Sequence, residues 1–335
     1  METKKAVVLS GVRPTGDLHL GNYFGAILNY VKMQNDYDCY FMVADLHSLT
    51  THPDTSGLKN HIQRVIATFL AAGIDPEKAT LYCQSHLRTT GELYLYLNML
   101  AYKGELEKTA TFKEKARQQP DNVNAGLLTY PVLMAADILI HKAHFVPVGK
   151  DQEQHIEMAR NFAKRFNHRY GEVFPEPEAF NYSHDLLKIP SLDGSGKMSK
   201  SVNENATIYL SDNDDTIRKK IMKAKTDAGP QQPNSPMPDY VENIFHLMEL
   251  VSENSTVSQF RQSYNDCSIR YGDMKKQLAE DMIRFISPIR KKMEDILADE
   301  VLLKKVMEHG AAKANEHADQ TLAEVRKAMR LNYFI

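Results

Sequence analysis

The sequence of 335 residues contains no tryptophan and only three cysteines, Cys39, Cys83 and Cys267. Cysteines this far apart form no CxxC pair, which excludes a disulfide framework and a four-thiolate zinc or iron–sulfur site. No run of eighteen apolar residues occurs, and the apolar stretch near the N-terminus is too short for a signal peptide. We therefore expect a cytoplasmic protein with no membrane partner.

Neither sign of charge dominates, because 41 Lys and Arg residues stand against 43 Asp and Glu residues. This balance argues against a broadly basic nucleic-acid-binding protein. Three local basic runs remain, within residues 160–169, 218–225 and 290–292. The sequence leaves open whether these runs are solvated helix faces or contacts for RNA phosphates.

The first half of the chain alternates short apolar runs with amphipathic segments. Four runs predict strands: Ala6–Leu9, Tyr40–Val43, Thr80–Cys83 and His144–Val148. Apolar residues at helical spacing predict helices over His19–Gln34 and Leu58–Ala72, the second ending at Gly73. Strands that alternate with helices predict the α/β class with a Rossmann-type, doubly wound parallel sheet.

The second half of the chain is predicted to be helical. Residues 226–239 concentrate Pro, Gly and Asn and predict a long loop. Four amphipathic segments follow it: Tyr240–Val251, Thr256–Tyr264, Asp273–Lys292 and Leu302–Arg330. We therefore expect a Rossmann-type domain with a helical insertion over residues 1–201 and an all-α domain over residues 202–335, whose last helix can pack back on the first domain.

A glycine-punctuated segment, SGVRPTGDLHLGN, joins the first predicted strand to the first long helix at residues 10–22. In an open α/β sheet, nucleotides bind beyond the carboxyl ends of the strands, where the N–H groups of a helix N-terminus favour anions. The segment matches neither GxGxxG nor GxxxxGK[ST]. It predicts a nucleotide site, with a tight turn and a solvent-facing histidine as the alternative.

A second segment, DGSGKMSKS at residues 193–201, places Lys197 and Lys200 among glycines and hydroxyl residues. Ammonium groups, hydroxyls and loop amides stabilise the negative charge that spreads during transfer at phosphorus. The alternative is a solvated basic loop. HLGN and KMSKS in this order are far more specific than either motif alone.

Together, His19–Asn22 and Lys197–Ser201 resemble the paired signature of the class I aminoacyl-tRNA synthetases. The stretches at 104–107, 112–115, 126–139 and 146–155 resemble the bacterial tryptophanyl-tRNA synthetases. The resemblance implies ATP- and Mg²⁺-dependent activation of L-tryptophan to an adenylate and transfer to the 3′-terminal ribose of tRNA(Trp). It also implies a homodimer, a catalytic Rossmann-type domain and a C-terminal domain that binds the tRNA anticodon.

The resemblance also implies three overlapping sets of site residues. The catalytic set is His19, Asn22, Lys115, Lys197 and Lys200. The ATP-binding set is Arg13, Thr15, Gly21, Asn22, Gly149, Asp151, Gln152, Ile189, Lys197, Met198, Ser199, Lys200 and Ser201. The tryptophan-binding set is Leu9, Gly11, His47, Tyr130, Met134, Asp137 and Gln152. Mg²⁺ is expected to arrive with ATP and to take no protein ligand, and Arg13 and Lys150 depart from the pattern common in the family.

The residues themselves support one of these assignments. Tyr130, Met134 and Asp137 are spaced i, i+4, i+7 in an apolar helix and share one face. A buried carboxylate is costly unless a group donates to it, and indole carries one N–H donor and no acceptor. Asp137 therefore suits tryptophan and penalises phenylalanine. Tyrosine could also donate to it, and a structural role of Asp137 within the core is the alternative. A tyrosine-activating synthetase and a noncatalytic RNA-binding paralogue thus remain open.

Overall fold

The computed structural model describes residues 5–51, 54–149, 152–180, 182, 188–199 and 203–333. These residues contain five strands: β1 Val7–Val12, β2 Asp38–Val43, β3 Thr80–Cys83, β4 Phe145–Pro147 and β5 Glu178–Phe180. All pairings are parallel, and the order across the sheet is β3-β2-β1-β4-β5. The order reverses between β1 and β4, which confirms the predicted Rossmann-type fold class.

The helices lie on both faces of this sheet and in a C-terminal layer. In the described part of the chain they are α1 Leu20–Asn22, α2 Leu28–Met33, α3 Asp45–Ser48, α4 Leu58–Ala72, α5 Arg88–Asn98, α6 Lys103–Leu106, α7 Ala110–Gln118, α8 Ala125–Leu128, α9 Tyr130–Ile140, α10 Glu153–Tyr170, α11 Asp214–Met222, α12 Asp239–Val251, α13 Asn254–Asn265, α14 Tyr271–Ala298 and α15 Glu300–Ala328. None of the described helices is long and apolar enough to cross a membrane.

Strands β1, β2 and β3 are buried on both faces because helices cover this part of the sheet. Val8, Phe41 and Leu81 on β1, β2 and β3 are each at most 1% exposed. Such strands read as continuous apolar runs, which is why the sequence predicts them. The predictions missed β5, because its three residues include Glu178 and none is buried.

The predicted helix over His19–Gln34 has an irregular turn. A π-helical segment over Tyr23–Ile27 joins α1 to α2, directly after the HLGN residues. Single π-turns within α-helices occur frequently at functional sites. In contrast, α4 has the predicted bounds and ends at Gly73, whose φ of 110° is the left-handed conformation that favours glycine at a helix end.

The C-terminal helices pack against the N-terminal half at two places, the region of α1 and the strand β3. Leu20 and Tyr23 share one buried cluster with Ile244 and Met282 of α12 and α14. The last helix, α15, lies against β3 at the edge of the sheet. There the backbones are so close that a Cβ added to Gly310 would lie 1.8 Å from the carbonyl oxygen of Leu81. The division of the chain at residue 201 stays a prediction.

Candidate active site

A cavity of about 460 Å³ opens at the carboxyl ends of β1 and β4. Its walls come from β1 and the loop after it, from α3, α7 and α9, and from the segment that follows β4. This is the point at which the strand order reverses, where open α/β sheets bind their ligands. The volume is within the range of small-molecule sites.

The floor of the cavity holds a buried carboxylate, Asp137 of α9, which is 2% exposed. His47 Nε2 lies 2.8 Å from Asp137 Oδ2. Gln84 Nε2 donates to both oxygens, at 3.0 Å to Oδ1 and 2.8 Å to Oδ2. Gln84 Oε1 in turn accepts from the backbone N–H of His47 at 3.1 Å. Three elements therefore converge on one carboxylate.

The environment of Asp137 has opposing effects on its charge. Burial raises the pKa of the Asp137 carboxyl, whereas the hydrogen bonds from His47 and Gln84 lower it, and the nearby Asp45 carboxylate raises it. Because an amide nitrogen only donates, Gln84 requires Asp137 to accept. Oδ2 accepts from His47 Nε2 and from Gln84 Nε2, whereas Oδ1 accepts from Gln84 Nε2 alone. Oδ1 can therefore accept one further hydrogen bond.

All seven residues of the predicted tryptophan-binding set line this single cavity: Leu9, Gly11, His47, Tyr130, Met134, Asp137 and Gln152. The ring centroids of His47 and Tyr130 are 4.4 Å apart. The helical spacing of Tyr130, Met134 and Asp137 therefore does place them on one face of α9. Aromatic and apolar groups around one buried acceptor suit a ligand with a flat ring and a single donor.

Four residues of the predicted ATP-binding and catalytic sets, Arg13, Lys115, Gly149 and Gln152, line the same cavity. The Arg13 Nε is buried and has no hydrogen-bond partner among the described residues. Lys115 Nζ donates to Gln118 Oε1 at 3.1 Å. These two cations place positive charge beside the pocket, where an anionic ligand would be stabilised.

The two signature segments meet next to the cavity and do not line it. A Cβ added to Gly21 would lie 2.8 Å from the His19 ring and 3.6 Å from the carbonyl oxygen of Met198. Met198 is fully buried in a cluster with Leu20, and its N–H donates to the carbonyl oxygen of Ile189 at 2.8 Å. The structure therefore brings HLGN and the start of KMSKS together.

The remaining predicted residues fall into two groups. Asn22 Oδ1 accepts from the His19 N–H at 3.0 Å, and Thr15 lies in the loop before α1. Lys197 is exposed, and Ser199 follows the buried Met198. Four positions lie outside the described residues: Lys150, Asp151, Lys200 and Ser201.

His19 has an unusual electrostatic environment. Burial, and then the charge of Lys197, lower the pKa of His19 from 6.5 to about 4. Its Nδ1 is buried and has no partner among the residues that the structure describes. At neutral pH, His19 is therefore a neutral side chain that can offer an N–H to a ligand without carrying charge.

Several cations of the basic runs are engaged within the chain. Arg160 pairs with Glu157, Arg165 with Glu105, Arg218 with Glu280 and Arg290 with Asp214. Paired cations contribute less to an external phosphate surface than their number in the sequence suggests. The number of Lys and Arg residues in the three runs is therefore larger than the number of unpaired positive charges that could contact RNA.

The sequence predictions assign no role to Gln84. It is 1% exposed and follows β3 directly. A signal was present, because a polar residue immediately after a buried parallel strand lies at the edge of the sheet where ligands bind. Among the described residues, no group of three or more His, Cys, Asp or Glu side chains is arranged to hold a metal ion.

Comparison with known proteins places this site in a family. The model of the tRNA synthetases class I (W and Y) matches residues 1–287. A tryptophan–tRNA ligase of Porphyromonas gingivalis is 59% identical over 320 residues, which are 95% of this chain and 97% of that protein. A second, from Caldanaerobacter subterraneus, is 41% identical over 97% of this chain and 98% of its own length. The crystal structure of the Campylobacter jejuni tryptophanyl-tRNA synthetase with ADP and tryptophan has a TM-score of 0.87 and 34% identity, and the match covers 96% of this chain and 99% of that one. This chain therefore belongs to the class I tRNA synthetases of the W and Y family, and within it to the tryptophan–tRNA ligases.

Proposed function

We propose that this protein activates L-tryptophan with ATP and esterifies it to the 3′-terminal ribose of tRNA(Trp) for protein synthesis. In the first step, a substrate carboxylate oxygen attacks the α-phosphorus of ATP, so that tryptophanyl-adenylate forms and pyrophosphate leaves. In the second step, a ribose hydroxyl attacks the activated carbonyl carbon and AMP leaves. The observation that carries the proposal is the buried Asp137 carboxylate among aromatic and apolar side chains at the floor of the cavity.

Asp137 selects the amino acid through its unfilled acceptor. Oδ2 already accepts from His47 and Gln84, so the indole N–H is assigned to Oδ1. Phenylalanine brings no donor, so after the cavity has lost its water Oδ1 would keep only the shared bond from Gln84 and its remaining acceptor capacity would stay unfilled. Sites built around a substrate donor discriminate strongly against analogues that lack it.

Activation requires no covalent nucleophile, because the substrate carboxylate is already ionised. The task of the protein is to align the two substrates and to stabilise the charge that moves onto the phosphates. Arg13 and Lys115 on the cavity wall suit the substrate carboxylate and the phosphates. His19 and Lys197 supply a neutral donor and a cation at the junction of the signature segments, and Asn22 orients the start of α1.

ATP and Mg²⁺ belong to this proposal together. Arg13 and Lys115 on the cavity wall are cations that suit ATP phosphates, and we propose that Mg²⁺ arrives bound to those phosphates. When bound there, Mg²⁺ neutralises phosphate charge. The residues of this chain then need only orient the triphosphate.

A homodimer is also part of the proposal. Three large apolar side chains between residues 95 and 102 are exposed: Leu95 by 52%, Met99 by 72% and Tyr102 by 62%. Exposed apolar side chains that lie close together in the chain are candidates for a protein–protein contact. Sedimentation velocity on the full chain should give the mass of two chains. The cytoplasmic location and the anticodon-binding role of the C-terminal helices stay predictions.

The first test is ATP–pyrophosphate exchange with each of the twenty amino acids singly, without tRNA. We expect exchange that depends on tryptophan. Exchange with tyrosine would keep the reaction and overturn the pocket assignment. No exchange with any amino acid would instead favour a noncatalytic RNA-binding paralogue or a requirement for tRNA.

A pH dependence is expected for His19. Because its folded pKa of about 4 is below the ordinary value of 6.5, the unfolded chain binds this proton first as the pH falls. His19 therefore lowers the stability of the folded protein progressively between pH 6.5 and 4. Urea unfolding at pH 7.5 and 5 should show a smaller loss of stability in His19→Gln than in the parent protein. Equal losses in both proteins would contradict the depressed pKa.

A further inference from the structure

Gln84 carries a buried amide whose hydrogen bonds to the described residues lie at the tryptophan pocket. It is the first residue after β3 and is 1% exposed. Its Nε2 donates to both oxygens of Asp137, and its Oε1 accepts from the backbone N–H of His47 at 3.1 Å. One side chain thus links α9 to α3. Burying an amide is costly unless it is satisfied, and among the described residues the partners of this amide are Asp137 and His47, which both line the pocket.

The chemistry of an amide explains why this position suits Gln. An amide nitrogen donates and never accepts, so it favours the ionised form of the carboxyl group that it contacts. The groups that face Asp137 otherwise oppose each other. Burial is the largest influence and leaves the pKa of Asp137 raised; Asp45 raises it further, whereas His47 lowers it. The nearby phenols of the buried Tyr82 and the half-buried Tyr130 have pKa values that burial raises. The bonds from Gln84 oppose the effect of burial and favour the carboxylate.

We infer that Gln84 is a positioning residue that determines amino-acid specificity, because it holds the Asp137 carboxylate as an oriented acceptor for the indole N–H. This inference rests on the proposed function. Without Gln84, Asp137 takes up a proton at higher pH and offers an O–H to the ligand instead of a charged acceptor. The indole N–H then loses its charge-assisted partner, and discrimination against phenylalanine falls with it.

Two variants test the inference through opposite pH dependences. Gln84→Met keeps the length of the side chain and removes both polar ends. It should weaken tryptophan binding by about 10- to 100-fold at pH 7, with a loss that deepens at lower pH and recovers as the pH rises. Gln84→Glu is isosteric and places two carboxyl groups in contact, which must share a proton. Its tryptophan affinity should therefore fall as the pH rises.

Binding can be measured on the intact protein by the fluorescence of the ligand, because the chain contains no tryptophan of its own. The KM for ATP should change little in either variant. Gln34→Met is the matched control, because Gln34 is also a buried amide, its Nε2 donates to Gly73 O at 3.0 Å and its Oε1 accepts from the Asp75 N–H at 2.8 Å, and it does not line the cavity. It should preserve the pH profile and the preference for tryptophan over phenylalanine.

The outcomes are distinguishable. Affinities within twofold of the parent protein and unchanged pH profiles in both variants would overturn the inference. Equal behaviour of Gln84→Met and Gln34→Met would also overturn it, because it would mean that the effect reflects only the loss of a buried amide. If Gln84→Met does not fold, the isosteric Gln84→Glu still decides. Absence of tryptophan-dependent exchange in the parent protein would instead contradict the proposed function.

Discussion

Asp137→Ala is expected to reduce kcat/KM for tryptophan activation by about a thousandfold. The substitution removes the acceptor of the indole N–H and also leaves His47 Nε2 and Gln84 Nε2 without their carboxylate partner. Buried donors left unpaired cost free energy in addition to the lost bond. ATP–pyrophosphate exchange measures the effect, with the KM for ATP and the thermal midpoint as controls for folding.

The same variant tests selectivity separately from rate. In the proposed mechanism, the parent protein rejects phenylalanine because that ligand offers no donor for the remaining acceptor capacity of Asp137 Oδ1. With alanine at this position the penalty disappears, so the ratio of kcat/KM for tryptophan to that for phenylalanine should fall sharply. A ratio equal to that of the parent protein would mean that Asp137 is a structural carboxylate and takes no part in indole recognition.

Gly310→Ala is expected to destabilise the folded protein by roughly 3 kcal/mol. The added Cβ would lie 1.8 Å from Leu81 O and 2.7 Å from Leu81 C. Both atoms belong to the backbone of β3, so no flexible side chain can yield, and α15 must move away from the sheet. Alanine has a higher helix propensity than glycine, so helix propensity alone would predict that the substitution stabilises the protein.

Gly272→Ala is the matched control for this prediction. Gly272 lies in the first turn of α14, is exposed, and has no neighbouring atom within 4 Å of an added Cβ. Its substitution should leave stability unchanged or raise it slightly. Differential scanning calorimetry of both variants gives the comparison. Similar thermal midpoints for the two variants would contradict the close contact between α15 and β3.

The elements that the sequence predicts well are those with strong periodicity or continuous apolar runs. The bounds of β3 and α4 match the predictions because burial on both faces and a terminal glycine mark them. The exposed β5 has neither signal. Likewise, α14 extends to Ala298 through Pro288, beyond the predicted end at Lys292. Tertiary packing along α14 decides this boundary, and a single sequence does not display it.

The parts of the site that are marked by sequence motifs or by helical spacing could be predicted from the sequence. Asp137 stands out as a lone acid in an apolar helix, and the family resemblance implied its neighbours in the cavity. The position of Gln84 directly after β3 was a signal that it lies near the site, but its bond to Asp137 and that of His47 to Asp137 were not predictable, because 53 and 90 residues of chain separate the partners. The basic runs show the same limit, since sequence does not reveal that Arg218 and Arg290 already have acidic partners.

The contact between α15 and β3 has a consequence for the order in which the chain can complete its fold. Among the described strands, β3 pairs only with β2, so its outer edge presents backbone groups that could pair with another chain. The helix that lies against this edge comes from residues 300–328, more than two hundred residues later. A nascent chain must therefore expose the edge of β3 until residues 300–328 have left the ribosome. During that interval this strand can pair with another chain, and chaperones that bind exposed strands should protect it.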